Sequence, residues 1–536
     1  MQELKKAVAR EVIERIIAGK IKTSNQLNFE KHIISGKFGF SQLVRNSDIL
    51  KYALPEEKSR LKLLLKKPMR TASGVAIVAV MSKPHKCPGK CIYCPQGKDA
   101  PKSYTGKEPA ARRAKMFEYD PYVQVTRRIG QLDAIGHSTD KVELIIMGGT
   151  FPSLSWKYQK DFVKRCLDAL NGKTSRTLKR AQEENRRAES RCVGLTIETR
   201  PDFCKNEHID RMLELGATRV ELGVQTTSDD IYKKIGRGHN VRDVVAATQL
   251  MKDSGLKVVY HIMPGLFQSP QEDLAMFKKL FSNPDFCPDM LKIYPALVIR
   301  GTKLYDLWKA KKYAPLNNAD AAELVAKIKG VVPGYVRIMR VQRDIPADEI
   351  VAGVTASNLR ELAQAKMKEL GIKCKCIRCR EWGQNQGISI GKLTENVTEY
   401  KASGGTEYFI SLDDFEGRES SKASSERSER DDKSSGLLFG HLRLRVPAKP
   451  FRKELLGKTA IVRELKVFGE SVPLGETRKK ALQHRGFGKR LMARAEKIAK
   501  ENGAGKIAVI AALGTKDYYK KLGYCDDGVY MSKMLK

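Results

Sequence analysis

Three cysteines fall within eight residues, Cys87-Pro-Gly-Lys-Cys91-Ile-Tyr-Cys94. One short loop therefore offers three thiolates to a single centre. A 4Fe–4S cluster has four iron corners and ordinarily takes four thiolates, so three leave one iron open to chelate a small molecule. A structural zinc ion also accepts closely spaced cysteines, but it wants four ligands. Tyr93, just before the last cysteine, favours the cluster, because its ring can pack beside a cofactor bound there.

A second group, Cys374-Lys-Cys376-Ile-Arg-Cys379, has the spacing of a zinc half-site that lacks one ligand. Free thiols and a second cluster are the other readings. The chain has eleven cysteines, six of them in these two groups. That usage suits a reducing compartment and metal binding better than disulfides.

A third pattern lies near the C-terminus, Gln483-His-Arg-Gly486-Phe487-Gly488-Lys489, followed by an amphipathic stretch through Lys500. A glycine-rich turn between strand and helix presents bare N–H groups to a pyrophosphate, and glycines allow the close approach. Next come an apolar run, Lys506–Leu513, and Asp517-Tyr518-Tyr519-Lys-Lys-Leu-Gly523-Tyr524. Either tyrosine hydroxyl can protonate a leaving thiolate or steady a thioester; the plainer reading is that both pack the terminal helix. His484 reads as a loop donor or an exposed residue rather than a base.

These groups need a scaffold. Short apolar runs alternate with helical stretches from residue 74 onward: Gly74–Met81, Val142–Gly149, Cys192–Thr199, Thr218–Gln225, Lys257–Pro264 and Met290–Leu297. Continuous apolar runs separated by helices indicate a parallel sheet covered on both faces. Polar or glycine residues gather at the ends of these runs. Gly148 and Gly149 end the second, Glu198 to Asp202 close the third, Glu221 and Gln225 belong to the fourth, His261 to the fifth, and Lys292 and Tyr294 to the sixth. In parallel barrels the active site collects at the C-terminal strand ends. The expected fold is α/β, about six βα units over 71–345 that resemble a partial TIM-type barrel, with a doubly wound sheet serving the argument almost as well. A helical region precedes it (1–70), a linker with the second cysteine group follows (346–388), and an α+β domain ends the chain (389–536). The Ser- and charge-rich segment 417–436 reads as a flexible insertion.

Composition narrows the partners. Lys and Arg number 99 against 62 Asp and Glu, a net charge of +37 over 536 residues. Charged thermophile surfaces balance their signs, so this excess points to a polyanion, nucleic acid above all. Between Lys51 and Arg70 there are seven Lys/Arg against two Asp/Glu, a phosphate-tracking surface or a solvated helix face. No apolar run is long enough to span a membrane. The first twenty residues carry Glu3, Glu11 and Glu14 and no apolar core, unlike a secretory signal or mitochondrial presequence. A cytoplasmic protein is expected.

The CxxxCxxC loop after a first strand resembles the radical S-adenosylmethionine (SAM) motif, and the C-terminal glycine loop resembles that of GNAT-type acetyltransferases. Together with Arg70–Val80, Ser103–Pro109, Gly194–Asp202, Glu221–Gln225, Leu291–Pro295 and Gln483–Gly488, they make nearly the whole chain similar to the family of the catalytic subunit of Elongator, in its archaeal or bacterial stand-alone form. The resemblance implies a tRNA enzyme that joins an acetyl-derived unit to carbon 5 of the wobble uridine, giving 5-carboxymethyluridine after thioester hydrolysis. It implies a 4Fe–4S cluster on Cys87, Cys91 and Cys94, SAM contacted by Gly148 and Gly149, and acetyl-CoA as co-substrate. Lys292 and Tyr294 would meet SAM or the intermediate at the barrel mouth, unless Lys292 is a structural ion pair. Gln483, Gly486, Phe487, Gly488 and Lys489 would line the CoA phosphates, with Tyr518 or Tyr519 at the thioester. Other Elongator subunits and a homodimer stay open. The rival readings are a protein lysine acetyltransferase and a tRNA-binding scaffold with inactive sites.

Overall fold

The computed structural model of the protein describes residues 2–40, 43–54, 56–57, 60–64, 74–384, 391–415, 436–468 and 486–536. Its frame is two seven-stranded sheets and a helical N-terminal unit.

The first sheet contains β1 (Ala76–Met81), β2 (Lys141–Met147), β3 (Arg191–Thr199), β4 (Arg219–Gln225), β5 (Lys257–Ile262) and β6 (Met290–Ile293). Beyond β6 the chain makes β7 (Val298–Ile299), β8 (Arg337–Arg340) and β9 (Ile350–Ala352); β8 joins the sheet, and β7 pairs with β9 in a small antiparallel ribbon. The order is β1-β2-β3-β4-β5-β6-β8 and every pair is parallel. Sequential parallel strands with crossover helices curl into an incomplete barrel whose edges, β1 and β8, do not meet. The seventh strand escapes a reading by apolar runs, because Arg337-Ile-Met-Arg340 offers only two apolar residues. β6 is shorter than its apolar run, since Pro295 cannot donate to a ladder.

The N-terminal helices Gln2–Ile17, Ser24–Lys37 and Asn46–Lys51 close over a core of their own, including Val8, Val12, Ile13, Leu27, Ile34 and Ile49. Much of the basic stretch Lys51–Arg70 lies outside the described residues. Several N-terminal cations are paired internally: Arg10 with Glu57 at 2.8 Å, Lys37 with Glu11 at 3.0 Å and Lys5 with Asp48 at 2.8 Å. Among the described residues, the segment from 353 to 384 has no separate core. Leu359, Ala363, Cys376 and Ile377 are buried in the core of the barrel.

The second sheet is mixed. It contains β10 (Leu393–Ala402), β11 (Gly405–Asp414), β12 (Leu437–Val446), β13 (Thr459–Val467), β14 (Lys506–Val509), β15 (Cys525–Asp527) and β16 (Tyr530–Met534). Strands β10 to β13 are antiparallel, whereas β13 and β14 are parallel and joined through the helix Phe487–Glu501. Leu491, Met492, Ala495 and Ala499 of that helix are buried against Leu442, Leu444 and Val462. The expected insertion 417–436 falls outside the described residues except for Gly436.

This sheet docks on the N-terminal ends of the barrel strands. Gly514 packs against Arg191 and Cys192 at the start of β3. Arg463 bonds Asp289 at 2.9 Å and Glu407 at 3.0 Å; Arg445 reaches Asp253 at 2.6 Å and Glu407 at 2.9 Å. Arg443 holds Glu464 at 2.8 Å, and Lys252 lies 3.5 Å from both Asp289 and Glu407. Arg443, Arg445, Arg463 and Lys252 thus face Asp253, Asp289, Glu407 and Glu464, four charges of each sign. An uncompensated buried charge costs several kcal/mol, so this matched set fixes one docking arrangement of barrel and sheet.

Candidate functional site

The cysteine loop leaves the C-terminal end of β1 and turns over the barrel mouth. A cavity opens there, lined by Cys87, Cys91, Tyr93, Cys94, Gly149, Thr150, Glu198, Glu221, Gln225, His261, Lys292, Tyr294 and Arg340. Every strand of the barrel sheet sends residues to it from its C-terminal end or from the loop beyond. β2 stops at Met147 because Gly148 and Gly149 take positive φ, 124° and 87°. A Cβ on Gly148 would collide with Ser82, so this close approach of two chain segments requires glycine.

Cys87 lies 3.7 Å from the Thr150 hydroxyl and accepts the Gly89 N–H at 3.4 Å. Cys91 receives the Arg237 guanidinium at 3.2 Å, with Arg200 at 4.0 Å. The hydrogen bond with Cys94 and the charge of Arg237 outweigh burial and draw the Cys91 thiol down to about 4. A thiolate is the metal-binding form of cysteine.

On the opposite wall, Lys292 pairs with the buried Glu221, which also bonds His261 Nε2 at 2.8 Å. Glu198 lies 3.8 Å from Lys292 and accepts the Tyr104 hydroxyl at 2.9 Å. Burial disfavours the Lys292 ammonium, but the Glu221 charge overcomes it and lifts the pKa above its ordinary value. Burial likewise opposes the Glu221 carboxylate, and Lys292 and His261 hold its pKa well below the usual range. The Tyr294 ring meets His261 edge-on at 5.3 Å. Among the described residues, two buried polar atoms on this wall have no hydrogen-bond partner: Glu221 Oε1 and Gln225 Oε1. Gln225 also adopts a φ of 74°, unusual for a residue other than glycine. Orphaned polar atoms and local strain around one cavity suit a polar ligand.

Of the residues singled out from sequence, Cys87, Cys91, Cys94, Gly149, Lys292 and Tyr294 line this one cavity, and Gly148 adjoins it. Arg237, Arg200 and Tyr104 were not assigned roles by the sequence. Arg200 stands in the Glu198–Asp202 motif and Tyr104 in Ser103–Pro109, but nothing in their spacing announces a contact with the site.

The second cysteine group is compact. The ligand atoms of Cys374, Cys376 and Cys379 all lie within 4.8 Å of one another, and Cys376 is buried. Hydrogen bonds from Cys374 and Cys379 push the Cys376 thiol well below its ordinary value. Glu198, Glu221 and His261 form another compact set, but Lys292 already occupies Glu221.

The acetyl-group candidates lie elsewhere. Gly486, in the left-handed region with φ of 76°, caps the helix Phe487–Glu501 without a side-chain hydrogen bond to its first N–H groups. Gly488 meets the Tyr518 hydroxyl so closely that a Cβ there would collide with it. Tyr518 is partly exposed, whereas Tyr519 is buried in the domain core against Tyr524. Lys489 is exposed on the first turn, and Gln483 lies outside the described residues. Asp517, next to Tyr518, pairs with Arg186 at 3.0 Å, just before β3 begins. The nine residues of β3 therefore separate this region from the cysteine loop, a span of about 26 Å at 3.3 Å per residue.

Comparison with known proteins agrees with this anatomy. Residues 81–281 match the Radical SAM superfamily, 288–369 the Radical_SAM C-terminal domain and 5–72 the ELP3 N-terminal domain. A tRNA uridine(34) acetyltransferase of Methanocaldococcus jannaschii is 52% identical over 505 residues, 91% of this chain and 90% of that protein. Elongator complex protein 3 of Homo sapiens is 44% identical over 547 residues, 99% of this chain and 96% of that protein. The solved structure of Methanocaldococcus infernus Elp3 with N-terminus deletion (1–46) superposes with a TM-score of 0.75 at 46% identity, covering 86% of this chain and all of that one. A cysteine loop over a curled parallel sheet, a docked mixed sheet and relatives alike across nine-tenths of the chain place this protein in the radical SAM family of tRNA uridine(34) acetyltransferases and Elongator complex protein 3.

Proposed function

We propose that the protein is a tRNA uridine(34) acetyltransferase that uses SAM and acetyl-CoA to place an acetyl-derived unit on carbon 5 of the wobble uridine. The observation that carries this reading is the loop of three thiols opening onto a polar cavity at the C-terminal strand ends, in a chain similar throughout to tRNA uridine(34) acetyltransferases.

The donor set fits a 4Fe–4S cluster. Cys87, Cys91 and Cys94 supply three thiols on one loop, leaving an iron for SAM, and the orphaned acceptors Glu221 Oε1 and Gln225 Oε1 fit its cationic groups. When bound and reduced, the cluster supplies the electron that cleaves SAM to a 5′-deoxyadenosyl radical. The Gly148–Gly149 turn brings backbone to the cavity edge, where it can hold the amino end of SAM. Glu221 keeps Lys292 protonated and fixed in the cavity wall. Tyr294 closes that wall over His261.

Acetyl-CoA is assigned to the second sheet. The uncapped first turn after Gly486 and the side chain of Lys489 suit its phosphates, and the Tyr518 hydroxyl, over Gly488, suits its thioester end. The tyrosine role goes to Tyr518 because Tyr519 is committed to the core. We assign zinc to Cys374, Cys376 and Cys379, whose close-set ligand atoms fit one small ion. The +37 net charge suits tRNA as the third reactant.

The test is anaerobic incubation of iron-reconstituted protein with reductant, SAM, acetyl-CoA and bulk tRNA, read by nucleoside mass spectrometry. A carboxymethyl-type mass on uridine that needs both SAM and acetyl-CoA supports the reading. Iron-replete protein that cleaves SAM but leaves every uridine unmodified in the presence of acetyl-CoA overturns it.

A further inference from the structure

Arg237 is a buried cation with an unusual set of neighbours. It is 5% exposed, and among the described residues no carboxylate lies within 4.0 Å of it. Its Nη1 donates to the Cys91 sulfur at 3.2 Å, its Nη2 donates to the Gly223 carbonyl, and its Nε has no partner. An unpaired buried guanidinium is destabilising, so the partner it was placed for is the sulfur. Arg200, also 5% exposed, sits 4.0 Å from the same sulfur. Asp202 clamps it through two bonds of 2.9 and 3.0 Å, and it donates to the Arg237 carbonyl at 2.7 Å. Both forks are held in place by contacts other than the sulfur itself.

The backbone is cleared for them. A Cβ on Gly89, inside the cysteine loop, would overlap the Arg200 guanidinium. A Cβ on Gly223 would stand 2.6 Å from Arg237 Nη2. Two glycines on separate elements thus leave the room through which two guanidiniums reach one sulfur. Cys87 has a different setting: it meets Thr150 and the Gly89 N–H.

We propose that Arg237 and Arg200 are positioning residues whose guanidiniums, set against the Cys91 sulfur, raise the reduction potential of the cluster bound by the Cys87–Cys94 loop. The proposal rests on the assignment of that loop as the cluster site. Reduction adds one negative charge to the cluster, and hydrogen bonds to the sulfurs are among the factors that set cluster potentials. Fixed cations with N–H donors on a ligand sulfur stabilise the reduced form more than the oxidised form. They make the one-electron reduction easier for whatever donor supplies it.

The experiment is a redox titration of anaerobically reconstituted protein, followed by the electron paramagnetic resonance signal of the reduced cluster, with iron content measured on each sample. Arg237→Gln is expected to lower the reduced-to-oxidised ratio at fixed potential by about tenfold, which for a one-electron couple is about 59 mV. Gly89→Ala, which keeps both arginines but displaces Arg200, is expected to shift it in the same direction by less. Arg237→Lys, which keeps the charge and loses the fork, falls between wild type and Arg237→Gln. An iron-replete Arg237→Gln protein with an unchanged midpoint overturns the proposal. Loss of iron from Arg237→Gln and Arg237→Lys with an unchanged thermal transition also overturns it, because the arginine would then serve assembly alone. Wild-type protein that takes up no 4Fe–4S cluster fails the site assignment instead, and the two failures are separate readouts.

Discussion

The two cysteine groups share a residue type and a count, yet the fold treats them in opposite ways. Cys374, Cys376 and Cys379 draw their ligand atoms within 4.8 Å of one another, and Cys376 and Ile377 are built into the barrel core. A tetrahedral zinc with Zn–S bonds of about 2.3 Å sets its sulfurs about 3.8 Å apart, so a tight set suits it. Cys87, Cys91 and Cys94 form no group that tight, as suits a larger centre, and they face a cavity with unpaired acceptors on its wall. One group is closed by packing; the other is open to a ligand and flanked by cations. Spacing alone, CxCxxC against CxxxCxxC, does not carry that distinction. Surroundings do.

The comparison breaks most visibly at the open group. Alanine at Cys87, Cys91 or Cys94 should abolish reductive SAM cleavage, a loss of at least about a thousandfold, because three ligands are already the minimum for a site-differentiated cluster. For Cys87 and Cys94, which are only half-buried loop residues, the thermal transition should move little. High-performance liquid chromatography of 5′-deoxyadenosine measures the first and differential scanning calorimetry the second. Retained cleavage, or a collapsed fold, would erase the division between an open chemical group and a closed structural one.

A second contrast lies inside the open group. In metal-free protein the Cys91 thiol, drawn to about 4 by Cys94 and Arg237, stays ionised across the neutral range. Its alkylation rate should therefore be flat between pH 5.5 and 8. An ordinary thiol near 8.5 gains about tenfold per pH unit over most of that range, a contrast of roughly two hundredfold across the window. Peptide mass spectrometry after timed iodoacetamide exposure reads the slope. A slope of one at Cys91 would mean that the two guanidiniums do not act on that sulfur.

How much of this was legible beforehand differs by level. The barrel announced itself because its strands are buried on both faces and read as apolar runs; β4 is buried at six of its seven positions. β8 stayed hidden because two arginines flank its two apolar residues and its place is set by pairing with β6. Site residues carried by compact local motifs, such as the cysteines and Gly148–Gly149, could be named from the chain. Arg237 could not, because its partner is 146 positions away and no spacing rule connects guanidinium to thiolate. The matched charges around Asp289 and Glu407 were equally silent, since only the docking of two sheets brings them together. The core commitment of Tyr519, against the hydroxyl of Tyr518 over Gly488, needed a helix phase that the run of two tyrosines leaves undetermined.

The smallest expected effect belongs to the closed group, and it sharpens the comparison by its type. Cys376→Ser removes a buried thiol and leaves only Cys374 and Cys379 to hold the proposed zinc. If the proposed zinc site is lost with its packing, the cost should be about 2–4 kcal/mol, lowering the thermal transition by roughly 5–10 °C. Zinc measured by inductively coupled plasma mass spectrometry should fall with it. SAM cleavage assayed well below the transition should stay within about twofold, because Cys376 lies in the packed core and does not line the cavity at the barrel mouth. A variant with native stability but no SAM cleavage would make the second group part of the chemistry. Packing around Ile377 argues for the first outcome, since a residue that anchors a short helix into the barrel core transmits its loss as lowered stability before it alters a cavity on other elements.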